Sequence, residues 1–132
     1  MHRNPSRPMS PHLTIWKWGP HMLVSILHRI TGAGLAVVGG AVLLWWLAAA
    51  ASGAESYTTF TEWATHWTGL VVAIGLTWAF FQHLLSGMRH LVMDIGAGYE
   101  LPTNKLWSVL TVVGAVVLTA LVWAYIVYWR GV

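Results

Sequence analysis

The chain has 132 residues, of which 57% are hydrophobic and only 8% charged, and its formal net charge is +3. Soluble domains carry about 25% charged residues, so this balance excludes an ordinary water-soluble globule. The chain has no cysteine, which excludes disulfides, thiolate chemistry and iron–sulfur ligation by it, and its seven basic residues are too scattered to form a nucleic-acid-binding patch.

Residues 1–20 contain Pro5, Pro8, Pro11 and Pro20. Proline breaks a helix interior, so an extended segment along the cytoplasmic membrane surface is expected here, anchored by Trp16 and Trp18. Residues 21–132 are then expected to form a three-helix transmembrane domain. Three stretches lack Asp, Glu, Lys and Arg entirely, namely Ile30 to Ala54, Trp63 to Met88 and Leu106 to Trp129. Each exceeds the roughly 20 apolar residues that carry a helix across a bilayer core. Lipid offers the backbone no hydrogen bonds, so spans of this kind are helical and the fold class is all-α.

Helix is expected over about 21–51, 63–92 and 106–129, with a polar loop at 52–62 and a Gly/Pro/Asn loop, "DIGAGYELPTNK", between the second and third spans. Gly32, Gly34, Gly39 and Gly40 in the first span suit close approach of a neighbouring helix. "LAAAASGAES" looks like a signal-peptide cleavage region, but the apolar run before it is too long for that, and it is read as a span. Arg3, Arg7, Lys17 and Arg29 precede or open the first span, and Arg89 and Lys105 flank the second loop. The positive-inside rule then places the N-terminus in the cytoplasm and the C-terminus on the opposite, periplasmic side.

Polar side chains inside spans are costly and mark function unless another helix pairs them. His83 lies about two turns inside the second span, in "FFQHLLSGMRHLVMD", with Gly87 at i+4 and His90 at i+7 on the same face. A deep imidazole is either an interhelical hydrogen-bonding group or a metal ligand. The glycine, which clears room for a flat macrocycle, and the second histidine, placed to meet a polar edge, turn the reading towards axial ligation of haem. On turn counting no other histidine is level with His83. The sixth iron position is then either open or filled from another chain, and three helices are too few to enclose a porphyrin, which points to a partner membrane subunit.

In "SILHRITG", Ser25 and Arg29 stand at i and i+4 on one face of the first span, near its cytoplasmic end. A hydroxyl and a guanidinium at that depth suit a quinone, whose carbonyl oxygens need donors as they become negative. Snorkelling of Arg29 and simple packing of Ser25 are the plainer alternatives. His28 points about 100° from Arg29 and is free for another client, such as a haem propionate. Asp94, at i+4 from His90 and i+5 from Arg89, is expected either to pair with a cation at the helix end or to deliver protons to a nearby quinone.

"RPMSPHLTIWKW", "SILHRITG" and "HLLSGMRHLVMDIG" together resemble the cytochrome b membrane-anchor subunits of succinate dehydrogenase, in that family's order and spacing, over most of residues 7–96. The resemblance implies half of a haem-binding helical bundle, completed by a second anchor subunit that shares haem b and gives the sixth ligand. It implies docking on an iron–sulfur subunit and a flavoprotein, with ubiquinone reduced by electrons from succinate. Residue by residue, it implies His83 as haem ligand, Ser25 and Arg29 as quinone-site residues, and His28, Arg29 and His90 near the propionates. The opening motif, with no transit peptide before it, implies a bacterial inner membrane. The alternatives are the anchor of a quinol:fumarate reductase and a haem-free structural anchor.

Overall fold

The computed structural model describes residues 18–130, so most of the expected extended segment at 1–20 lies outside the described residues. Five α-helices follow one another, and among the described residues there is no strand: α1 Pro20–Gly34, α2 Gly40–Ser52, α3 Ala54–Thr65, α4 Trp67–Asp94 and α5 Leu101–Arg130. A π-helical turn, Leu35–Gly39, joins α1 to α2, so that Pro20–Ser52 is one continuous span. With α4 and α5 it makes three helices long and apolar enough to cross a membrane.

Helix starts follow local chemistry. Pro20 opens α1 at the first helical position, where its missing N–H removes a donor that has no intrahelical partner anyway. His66 caps α4, its Nδ1 lying 2.9 Å from Thr68 Oγ1 and accepting from the Thr68 backbone N–H at 3.4 Å. The third spanning helix starts at Leu101 rather than near 106, because Pro102 suits a first turn and the Asn104 N–H already reaches the Glu100 carbonyl at 2.8 Å.

The stretch expected as a loop, 52–62, is mostly helical. Gly53, at φ +106°, ends α2 in a conformation that other residues rarely adopt, and α3 begins at the next residue. The threonines that suggest a loop turn inward on their own backbone: Thr58, Thr59 and Thr65 donate to the carbonyls four residues earlier at 2.9, 3.1 and 2.8 Å. Phe60 is buried and packs edge-on against Trp45 of α2, with ring centroids 5.1 Å apart, and Trp63 lies 5.0 Å from Trp45. This apolar corner folds α3 back between α2 and α4.

The main bundle is α1, α4 and α5, each packed on the other two, with α4 antiparallel to both. Beyond the π turn, α2 packs on α3 rather than on α4 or α5, which leaves Trp46, Leu43 and Leu44 facing outward. Single π-helical turns of this kind occur inside α-helices, frequently at functional sites.

The interior is the reverse of a soluble core. Apolar Val24, Ala79 and Ala115 are joined there by Thr31, Gln82, Ser86, Arg89, Ser108, Thr111 and Thr119, while leucines, valines and tryptophans cover the outside. Lipid tails are as apolar as leucine, so helix association rests on close packing and hydrogen bonds between helices. Trp123 of α5 supplies one such bond, donating Nε1–H to Thr77 Oγ1 on α4 at 3.3 Å.

The tightest turn is at Gly69, where an added Cβ would overlap the Trp63 carbonyl oxygen and lie 2.8 Å from Ala64 Cα. Backbone cannot move aside as a side-chain tip can. Gly69→Ala is therefore expected to lower the thermal unfolding midpoint of the purified protein in detergent; an unchanged midpoint would show that α3 is not held against α4 in this way.

Candidate functional site

The antiparallel register of α1 and α4 puts three imidazoles together. His83 of α4 reaches across to α1 and donates from Nδ1 to the His28 carbonyl at 3.1 Å, with Thr31 Oγ1 at 3.4 Å from the same nitrogen. Thr31 spends its own hydroxyl hydrogen on the Leu27 carbonyl at 2.7 Å, so its oxygen lone pairs face the imidazole. With Nδ1 carrying the proton, the lone pair of His83 is on Nε2. A histidine that ligates a metal shows this arrangement, with one nitrogen fixed by a backbone carbonyl and the other free for the ion.

Gly32 makes the approach possible. A Cβ at that position would lie 2.8 Å from His83 Cε1 and 3.3 Å from Nδ1, so any side chain there pushes the ring off its carbonyl. Of the other glycines in the first span, a Cβ on Gly39 would lie 3.6 Å from Leu76, whereas Gly34 and Gly40 face open space.

The turn-counting expectation that no histidine is level with His83 is corrected here. The His28 ring stacks on the His83 ring with centroids 4.0 Å apart and planes within 7°, and His90 meets His28 edge-on at 5.0 Å. Depth counted from each helix end ignores how two antiparallel helices slide past one another, and that offset brings His28 to the level of His83. Gly87 sits under this cluster, where a Cβ would be 3.7 Å from His28 Cε1.

Ser25 and Arg29 come together in an open cavity of about 470 Å³ at the end of the bundle where α1 begins and α4 ends. His21, Arg89, His90 and Asn104 complete its polar lining. Arg29 is exposed on the rim, Ser25 is half-buried, and His90 joins this cavity to the imidazole cluster. The site offers a hydroxyl, two guanidiniums and two imidazoles to a ligand that carries oxygen acceptors on an apolar body.

Asp94 stands exposed at the end of α4, outside the lining of this cavity. Its expected cation, Arg89, turns elsewhere and donates from Nη2 to Asn104 Oδ1 of α5 at 2.8 Å. Asn104 is itself held by donating to the Gly98 carbonyl at 3.3 Å and to Met93 Sδ at 3.4 Å. Arg89 and Asn104 are the residues that sequence reasoning missed. Arg89 reads as a marker of the membrane edge and Asn104 as a loop residue, although an arginine so near the charge-free run was a signal worth following.

The family described as the succinate dehydrogenase/fumarate reductase transmembrane subunit matches residues 3–122, a range that includes every residue of this site. Among curated relatives, the succinate dehydrogenase cytochrome b556 subunit of Paracoccus denitrificans is 37% identical, over 88% of this chain and 88% of its own length. The cytochrome b556 subunit of Rickettsia conorii is 35% identical, over 89% of this chain and 90% of its own. The mitochondrial cytochrome b560 subunit of Mus musculus is 39% identical, over 84% of this chain and 66% of its own.

Arg89 is buried and its bond to Asn104 joins α4 to α5, so the loss of Asn104 leaves a guanidinium hydrogen unmet. A hydrogen bond to a charged group contributes about 2 kcal/mol. Asn104→Ala is expected to lower the unfolding midpoint by several degrees, and no change would show that Arg89 finds another acceptor at no cost.

Proposed function

The chain belongs to the succinate dehydrogenase/fumarate reductase transmembrane subunit family, and on that premise we propose that it is the haem-bearing anchor of a succinate:quinone oxidoreductase. It is a multi-pass membrane protein, and in this reading it lies in a bacterial inner membrane with its N-terminus in the cytoplasm. Its partners are a second anchor subunit, an iron–sulfur subunit and a flavoprotein. Succinate is oxidised on another subunit and its electrons reach ubiquinone at the cavity edged by Ser25 and Arg29.

The observation that carries this reading is the shared wall of two sites. His90 touches both the imidazole cluster, with His83 held by Nδ1 on a carbonyl, and the cavity that contains Ser25 and Arg29. The residues fit a haem: His83 has a free Nε2, Gly32 clears the space that the ring needs, and Gly87 leaves room beneath His28. His83 would hold the haem iron through Nε2, and His28 and His90 would stand near the propionates. When bound, haem supplies a one-electron carrier beside the quinone pocket. The partner anchor would complete the haem site.

Quinone reduction takes two electrons and two protons, and negative charge builds on the carbonyl oxygens before the protons arrive. Ser25 donates a hydrogen bond to one such oxygen. The Arg29 guanidinium, exposed on the rim, meets the growing charge with a planar fork of hydrogen-bond donors. His21 and His90 line the same cavity, and Asp94 stands at the adjoining helix end as a candidate to pass protons inward.

Arg29→Ala tests the quinone role. Loss of a hydrogen bond to a charged group costs about 1.5–3 kcal/mol, so quinone reduction is expected to fall by about tenfold or more. Succinate oxidation measured with an artificial electron acceptor should stay near the wild-type rate. Equal loss of both activities would contradict a role at the quinone.

A further inference from the structure

Ser25 and Arg29 belong to a longer stripe than the two of them define. His21 stands one turn before Ser25, so the three side chains fall at i, i+4 and i+8 on one face of α1, and all three line the same cavity of about 470 Å³. Residues four apart on a helix have Cβ atoms about 5–6 Å from one another. The Cα–Cβ bonds of a helix also tilt towards its start, which sets Ser25 over the turn that carries His21. An oxygen bonded to Ser25 Oγ then has the imidazole as its neighbour on the next turn.

Other histidines of the chain are tied down through Nδ1. His83 bonds the His28 carbonyl with it, and His66 caps α4 with it. His21 Nδ1 is buried as well, yet among the described residues it has no partner. An unpaired buried polar atom calls for a reason, and a catalytic role is one. Gly19 is what lets the ring lie where it does. A Cβ there would be 2.5 Å from His21 Cε1 and 2.9 Å from Nδ1, so the ring packs directly on the backbone at the helix entry. With Nδ1 sealed, a ligand in the cavity meets the half-buried ring through Nε2.

Reduction of a quinone to the quinol needs a proton on each oxygen, and a group that touches the oxygen makes the last transfer. Asp94 lies outside the cavity lining, so it does not touch a ligand there. Imidazole is the side chain most used for general acid–base work, and the cavity has two. His90 is engaged edge-on with His28, in the wall shared with the imidazole cluster. His21 is on the first turn of α1, at the open end of the cavity, where water can restore its proton. The remaining charged groups of the lining are the guanidiniums of Arg29 on the same helix and Arg89 on α4, whose forks suit holding an oxygen; α5 adds the neutral Asn104.

On the reading of this cavity as a quinone site, we propose that His21 is a further catalytic residue, the proton donor to the quinone oxygen that Ser25 holds. The protonated ring breaks its Nε2–H bond as the O–H bond forms, and Nδ1 keeps its own proton. Two electrons come from succinate through the complex, the second proton comes from water at the open mouth, and the quinol leaves with both. Water then returns a proton to Nε2.

The test compares the wild-type complex with His21→Gln, whose amide still forms hydrogen bonds but transfers no proton. General acid–base catalysis contributes typically about 10²–10⁴ in rate. With water also at the mouth, kcat for quinone reduction is expected to fall by about tenfold or more. KM for the quinone, and succinate oxidation with an artificial electron acceptor, should stay near wild type. An unchanged kcat would overturn the proposal, whether or not KM rises, as would an equal loss of both activities. His21→Asn makes the same comparison if the glutamine variant does not assemble. Arg29→Ala tells the two levels apart: slowed quinone reduction there beside a normal kcat in His21→Gln removes the role of His21 alone, whereas no effect in either variant removes the quinone cavity itself.

Discussion

The contact between α1 and α4 at Gly32 governs the geometry of the site. Because Gly32 has no side chain, the His83 ring can lie against α1 and donate to the His28 carbonyl. That bond fixes the ring, sets its tautomer and brings His28 into parallel stacking on it. The same register puts His90 beside His28 and Arg89 beside Ser25 and Arg29, so the imidazole cluster and the open cavity share a wall. Any bulk at Gly32 would push the His83 ring off the His28 carbonyl.

Around that contact the chain meets the membrane's main constraint by turning its polarity inward. The hydroxyls of Thr31, Ser108, Thr111 and Thr119 close onto their own helices, Arg89 reaches Asn104, and apolar surface is left for lipid or for partner subunits. The outward lean of α2 beyond the π turn leaves Trp45 and Trp46 exposed on one side of a three-helix unit. A chain of this shape, in a family of transmembrane subunits, has its polar chemistry at one end and broad apolar flanks along its length.

Much of this was legible in the sequence because the membrane makes exceptions visible. Three charge-free runs can only be spans, and in such runs a histidine, or a serine four residues before an arginine, stands out. What could not be read were relations between helices. The depth of His28 depends on how α1 slides along α4, and nothing within "SILHRITG" encodes that offset. Asn104 sits two residues before the expected start of the third span at 106, yet the helix begins at Leu101 and brings it under Arg89. The run "SYTTFTEW" hid α3, since polar threonines mask the spacing of Phe60 and Trp63 until Trp45 is seen to receive them. The π turn falls on "LAVVG", five ordinary residues with no local signal of a change in winding.

In the proposed reading His83, held by the His28 carbonyl, ligates a haem next to the quinone cavity. A reduced-minus-oxidised visible spectrum of the membrane complex that co-purifies with this chain, wild type beside His83→Ala, tests this directly. A b-type α-band is expected in the wild type, lost or shifted in the variant while the three spans still insert. A band of the same position and size in both would remove His83 from the iron, and no band in either would make the imidazole cluster a packing feature.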